Sequence, residues 1–343
     1  MHDENRHRCR RHPREPASEP DGRRSRFGEF LANFVREAGD VSVVEIGRQT
    51  SFLVAPLTLL SLSVAEGLVV IAGVLAVVAT LLALDVRDWR CYVVAFLWVA
   101  VLNAIGLGNL TIFLVLCAAL IWRFRDRDAL GASTLGAALA AKLFLWPLVV
   151  WLTATRCTTS AAITVAVWLG LLVVSWAVIG FAGLVDYVDV LRIARSLWAD
   201  DGYSVYALAL DAGASDRSAG LLGLAVAASL LAASVMRGRH GADRAAFILA
   251  IAAALAFSPI VWRHYFAFLL VVVGVARPRL GVLWFLPLLM WPVSEGIGNG
   301  TALQTSATLA IAATTIGLAL WSVRDAPGHA TVVVEGTVAA RPL

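Results

Sequence analysis

The sequence predicts an all-α protein, a polytopic transmembrane helical bundle, and three observations carry that reading. Of its 343 residues, 59% are hydrophobic, and mean hydropathy is +0.79. Apolar runs recur along most of the chain, while charge is scarce and gathered into short clusters between them. Those clusters, mostly Arg, sort to one side when the runs are threaded back and forth, as cytoplasmic loops do. The net charge of +4 is modest, and no basic face interleaved with aromatics points to nucleic acid. Cys9, Cys91, Cys117 and Cys157 form no CxxC pair and no metal-ligand spacing. Neither a metal, a cofactor nor a disulfide is expected. Abundant Ala, Val, Leu and Arg beside a single Lys suggests a GC-rich bacterial genome.

Residues 1–50 are polar and crowded with Arg, from Arg6 to Arg26. They lack an apolar core, so no signal peptide is expected, and Arg23-Arg24 is a twin-Arg signal only superficially. Disorder is expected over 1–26 and a weak amphipathic helix over Phe27 to Ile46. Apolar segments follow at 52–61, 64–84, 92–106, 109–122, 130–141, 144–154, 159–182, 218–236, 245–257, 262–276, 280–294 and 302–323. They make a multi-spanning domain over 51–323, followed by a cytoplasmic tail, 324–343.

Several of these segments are too short to cross ~30 Å alone. Two pairs read as hairpins that enter and return, turning at Gly106–Asn109 and near Lys142–Pro147. With both in place, Arg87/Arg90, Arg123/Arg125/Arg127, Arg156, Arg237/Arg239/Arg244, Arg277/Arg279 and Arg324 share one side, the cytoplasmic one. The outer side receives Gly106–Asn109, the Lys142 turn, a 183–217 loop, Ser258–His264 and Glu295–Thr301. One element breaks the pattern. Segment 64–84 must run inward, which leaves the Arg-rich 1–50 outside. Either a further spanning helix belongs ahead of residue 51, or 52–61 and 64–84 pack differently.

Lys142 is the only lysine. Its nearest charged neighbours in sequence, Asp128 and Arg156, lie about 20 Å away along a helix. An ammonium there costs roughly 2.5–3.5 kcal/mol on insertion scales. One reading is a lysine snorkelling from a short helix end. The other is a cation placed for an anion such as a phosphate. A second polar cluster, Ser258-Pro259-Ile260-Val261-Trp262-Arg263-His264-Tyr265, splits two apolar runs. Pro259 frees backbone groups, as at broken helices lining cavities. Trp, Arg, His and Tyr also suit a headgroup anchor. Set beside Lys142 on the same side, Arg263 and His264 point to an anion site with a titratable group.

Asn109, at a hairpin tip, suits either a sugar hydroxyl or the cap of the next helix. Asn109-Leu110-Thr111 and Asn299-Gly300-Thr301 fit a glycosylation sequon without meaning in a bacterium. In the 183–217 loop, Asp186, Asp189 and Arg192 fall at helical spacing, so an interfacial amphipathic helix is expected. The same loop offers Trp198, Asp200, Asp201, Tyr203 and Tyr206 as a lid that binds sugar. Asp200-Asp201 resembles a metal-binding pair only weakly, with no third ligand.

Six ordered blocks carry a resemblance: Val86–Cys91, Gly108–Thr111, Trp122–Arg127, Ala141–Pro147, Asp201–Tyr206 and Ser258–Tyr265. Together they resemble glycosyltransferase family 87, in its actinobacterial members, from about Phe52 to Val323. The resemblance implies a GT-C type membrane glycosyltransferase. Such enzymes take a hexose, typically mannose, from a polyprenyl-phosphate sugar and pass it to a lipid-linked or glycan acceptor at the outer face of the plasma membrane. It implies that His264 lies near the reacting centre, Lys142 near the donor phosphate and Asn109 at the hairpin tip. Arg263 is expected beside the phosphate, with Asp200, Asp201, Tyr203 and Tyr265 on the substrate.

The chain departs from relatives in two places. Gly106 stands where Gln is frequent, and Gln49-Thr50-Ser51 replaces a Tyr-Pro-Pro-like lead-in. The N-terminal helix and outer loop that carry the family's catalytic Asp are expected to be missing, the same gap that the charge topology exposed. Two other classes stay open: a truncated, non-catalytic paralogue or scaffold, and an anion-binding transporter, for which no inverted repeat is visible.

Overall fold

A computed structural model describes residues 59–125, 128–178, 202–293 and 300–324, with single positions between 180 and 199. The expectations for 1–50, for Asp186, Arg192, Trp198, Asp200 and Asp201, and for 325–343 lie outside the described residues. Among the described residues every regular element is helical. The α-helices are α1 (Leu62–Ala83), α2 (Trp89–Phe96), α3 (Val99–Gly106), α4 (Thr111–Phe124), α5 (Asp128–Ala141), α6 (Pro147–Ala154), α7 (Thr158–Val178), α8 (Val205–Asp211), α9 (Asp216–Arg239), α10 (Asp243–Phe257), α11 (Leu269–Ala276), α12 (Val282–Phe285) and α13 (Ala302–Arg324). Three 3-10 turns, Leu143–Leu145, Arg263–Phe268 and Leu286–Met290, interrupt the series.

Four of these helices, α1, α7, α9 and α13, are long and apolar enough to cross a membrane. The α2/α3 pair, bent by 67°, counts as a fifth if it is one span. The long helices expose apolar side chains such as Leu75, Val174, Leu221 and Leu318, which suits lipid rather than water as their solvent. At the centre, α10 is buried on every face from Ala245 to Leu255, and all of α11 is buried. A helix that is hydrophobic all round belongs inside a bundle. Protein surrounds these two shorter helices, so they need not span the membrane themselves. Small residues let the helices approach: Ser234 Oγ donates to the Ala246 carbonyl at 2.7 Å, joining α9 to α10.

The expected hairpin at Lys142 follows from register. Ser160 Oγ donates to the Arg125 carbonyl at 3.2 Å and Thr164 Oγ1 to the Ala132 carbonyl at 3.1 Å. Further on, a Cβ on Gly136 would lie 2.7 Å from Val167. The two numbering series ascend together, so α5 and α7 run parallel. The chain between them must therefore return, and α6 is the returning arm. By that register Lys142 lies level with about Val173, and α7 runs on about 8 Å further. The Gly106–Asn109 turn is recessed too. A Cβ on Gly73, midway along α1, would touch Ile105 at 3.4 Å.

One end of the bundle collects arginines. Arg125 pairs with Asp243 at 2.9 Å, and Trp151 Nε1 donates to the same carboxylate at 2.9 Å. Asp88 accepts from the Leu280 backbone N–H, and Gly238 lies against Ala154 and Thr155. The ends of α1, α4, α6, α9 and α11 thus meet with the start of α10. This is the arginine sorting expected from sequence. Asp243→Ala should lower the thermal midpoint in detergent, at a cost of about 1–3 kcal/mol, because a charged group and a buried indole both lose their partner. An unchanged midpoint would contradict the bridging role.

Three segments are more finely divided than their composition indicates. The 280–294 segment is not one helix: it breaks into α12 and the Leu286–Met290 turn, because Pro287 lacks an N–H and cannot continue an α-helix. It still leads from the arginine end toward Gly300 at the other. Likewise 92–106 bends at Leu97–Trp98. The two breaks repair each other: Trp291 Nε1 donates to the Leu97 carbonyl at 2.7 Å, and Trp98 Nε1 to the Trp284 carbonyl at 3.0 Å. Broken helices within a bundle need such substitutes for lost backbone bonds. The 183–217 segment is also not wholly a loop, since α8 forms within it, capped by Ser204 Oγ accepting from the Ala207 N–H at 3.0 Å.

Candidate functional site

The far end, opposite the arginines, is built from stretches remote in sequence. α5 stops at Ala141 because Lys142 adopts an extended backbone (φ −159°, ψ 117°), and Pro147 opens α6. The backbone break thus falls at the lysine itself. Its ammonium lies 4.3 Å from the centre of the Tyr265 ring. A cation over an aromatic face gains about 2 kcal/mol when desolvated. Among the described residues no carboxylate pairs with Lys142. A half-buried ammonium held by an aromatic face alone keeps its charge available to a ligand.

The Arg263–Phe268 turn supplies the rest. It follows α10, which ends at Phe257 where Pro259 prevents helical continuation. His264 is buried, and its ring stacks on Tyr265 with centroids 5.1 Å apart. Lys142 and His264 thus both lie against the Tyr265 ring. Phe144, two residues after Lys142, meets Tyr265 edge-on at 5.0 Å and Phe268 at 5.0 Å. This aromatic wall fixes the Lys142 turn against the histidine turn. Nothing in the sequence singles out Phe144 or Phe268 except the spacing Lys-x-Phe, which places the first ring at the break.

Arg263 points to a different partner. Its guanidinium donates to the Tyr203 hydroxyl at 2.8 Å. Tyr203 is held by its backbone N–H, bonded to the Val261 carbonyl, and Ser204 Oγ donates to the Pro259 carbonyl at 2.8 Å. These bonds tie the start of α8 to the break after α10 and satisfy carbonyls that the break leaves without helix partners. Gly300 closes the far side, where a Cβ would lie 3.0 Å from the Tyr203 ring. Thr305 Oγ1 would lie closer still, at 2.9 Å, so a larger residue there would crowd both side chains.

Two groups of predicted residues therefore form: Lys142 with Tyr265 and His264, and Arg263 with Tyr203. They share the Arg263–Phe268 turn. Asn109 takes the capping role, its side-chain oxygen accepting from the Thr111 N–H at 2.9 Å and the Thr111 hydroxyl at 2.7 Å. Gly108, at φ 58°, makes the tight turn into it. The helices on either side of this turn, α3 and α4, pack on the Arg263–Phe268 turn, so the hairpin borders the cluster. Asp200 and Asp201 lie outside the described residues. Among the described residues no three His, Cys, Asp or Glu side chains gather as a metal ion would require.

The arrangement is a recessed cationic site with a buried imidazole and an aromatic floor. Chemically it can hold a phosphate and place a hydrogen-bonding ring beside it. In comparisons with known proteins, the family model described as Glycosyltransferase family 87 matches residues 49–261, more than half of the chain. The matched stretch holds Asn109, Lys142 and Tyr203 and stops just before Arg263, His264 and Tyr265. No curated protein and no solved structure matches.

Proposed function

The chain belongs to glycosyltransferase family 87, and from that premise we propose that its far-end cluster transfers a hexose, mannose in the first instance, from a polyprenyl-phosphate sugar to a lipid-linked or glycan acceptor. The observation that carries this reading is the recessed Lys142 ammonium, lodged on Tyr265 at 4.3 Å with no carboxylate partner among the described residues. A membrane-embedded cation needs an anion, and a polyprenyl-phosphate sugar brings its phosphate in from the bilayer. The far end then faces outward and the arginine end the cytoplasm, in a multi-pass plasma-membrane protein.

In the proposed step an acceptor oxygen attacks the anomeric carbon from the face opposite the phosphate. The bond from that carbon to the phosphate oxygen breaks, and its electron pair leaves with the phosphate. The acceptor proton passes to a base. Lys142 and Arg263 stabilise the charge that grows on the leaving phosphate, as fixed cations in a water-poor site can do strongly. His264 orients or deprotonates the acceptor hydroxyl, directly or through a carboxylate such as Asp200 or Asp201. Tyr203 and Tyr265 hold the two cations in place.

The test is transfer of radiolabelled mannose in membranes containing the chain, with polyprenyl-phosphate-mannose or a nucleotide-mannose as donor. Product from the lipid donor alone supports the reading. Product from the nucleotide sugar alone contradicts the donor assignment, and no product from either contradicts the proposed transfer. A subsidiary check concerns Arg263. Tyr203→Phe removes the hydroxyl that accepts from the guanidinium and should lower kcat/KM about tenfold, raising the donor KM and lowering kcat together. An unaltered KM would separate Arg263 from donor binding.

A further inference from the structure

We propose that the arginine end carries a separate anion site, a pocket for the phosphate of an anionic phospholipid headgroup. Two adjoining cavities open there, of about 500 Å³ and about 230 Å³, sharing Asp85 and Pro278 in their linings. Either is large enough for a phosphate with a small polar substituent. Arg87 and Arg279 line the larger cavity, and Arg123, Arg125 and Arg244 the smaller.

The neighbouring charges decide how much of this positive potential is left over. Arg87 is used by Asp85 at 3.0 Å. Arg125 is used by Asp243, and it also donates to the Trp122 carbonyl at 2.8 Å. Asp88 is bound by Arg90 at 2.9 Å, which holds its carboxyl down at about 2, so it stays ionised but paired. The carboxyl-terminal ends of α1, α4 and α11 also meet here, and their carbonyls favour cations. Arg123, Arg244 and Arg279 remain, and among the described residues no carboxylate pairs with any of them. Two guanidinium groups in the smaller cavity, with a third in the adjoining one, match the forked recognition of a phosphate.

A lipid rather than a free ion follows from what adjoins the pocket. The floor is apolar, from Leu84, Trp122 and Val275. Beside it Leu82 and Trp89 are strongly exposed, and Val282 stands on α12, which packs on α2. These side chains offer a path for acyl chains alongside a basic pocket between helices, the usual setting for an anionic headgroup. An exposed Trp at this level also marks the interfacial zone.

The experiment uses the full chain, purified in detergent and stripped of lipid. Thermal midpoints are measured with phosphatidylglycerol, phosphatidylcholine or inorganic phosphate added, and bound lipid is counted by native mass spectrometry. Phosphatidylglycerol should raise the midpoint and remain bound, whereas phosphatidylcholine should do neither. Arg123→Gln with Arg244→Gln should weaken phosphatidylglycerol binding at least tenfold. Arg239→Gln, at the same end but outside both cavities, should leave it unchanged. Wild-type binding in the double glutamine variant overturns the site. So does equal binding of phosphatidylcholine. A full shift from inorganic phosphate alone overturns the lipid as its ligand. Should the glutamine pair fail to fold, Arg123→Lys with Arg244→Lys decides: replacing forks by point charges should weaken binding several-fold, and unchanged binding overturns the proposal.

Discussion

Lys142→Ala should abolish transfer from polyprenyl-phosphate-mannose, lowering the rate by about 10²–10³-fold or more, while folded protein accumulates as in the wild type. The side chain is half-buried, and its described contact is with one face of Tyr265. Its loss leaves no buried carboxylate unpaired among the described residues, so the bundle has little reason to destabilise. The leaving phosphate would lose its nearest fixed charge, and in a water-poor site nothing replaces that charge. Lys142→Arg should restore only part of the activity, because a planar fork does not fit the place of a compact ammonium over the ring. Rate measurements on equal amounts of detergent-purified protein make the comparison. Wild-type transfer by Lys142→Ala would remove the lysine from the reaction. Equal loss of rate and of folded protein would make its role structural.

Trp98→Ala should be the most damaging substitution for stability, about 3–5 kcal/mol from lost volume and about 1–3 kcal/mol from the carbonyl left unsatisfied. Trp98 is fully buried at the bend between α2 and α3. Its indole lies 6.0 Å from that of Trp284 and donates to the Trp284 carbonyl at 3.0 Å. Truncation opens a cavity where two broken segments support each other, with no lipid or water to refill it. Trp98→Phe keeps most of the volume and loses only the hydrogen bond, so it should cost about 1–3 kcal/mol. Thermal unfolding in one detergent would rank the pair. Equal midpoints for both variants would mean that the hydrogen bond, not the packing, holds the bend.

Much of this was legible in the residues. The apolar runs predict helices at α1, α7, α9 and α13 because hydropathy over twenty residues is a local property. Arg87, Arg125, Arg244 and Arg279 predict one common end through the cost of burying charge in lipid. Gly106–Asn109 and Lys142–Pro147 predict breaks because Gly and Pro act on their own backbone. Four of the six family-like blocks hold residues of the far-end cluster or its bordering hairpin, and the two with Arg87 and Arg125 belong to the arginine end.

The sequence by itself therefore determined the helical class, the position of the breaks and the sorting of charge. Only the tertiary structure decided who partners whom. That Lys142 rests on Tyr265 and that Arg263 bonds to Tyr203 are outcomes of side chains competing in space. Which group satisfies the Trp284 carbonyl in the broken 280–294 segment was likewise decided in space, by Trp98, 186 residues away. Hydropathy and turn chemistry reach a few residues along the chain. The contacts that arm the site join segments tens to hundreds of residues apart, and only the folded bundle brings them within a few ångströms.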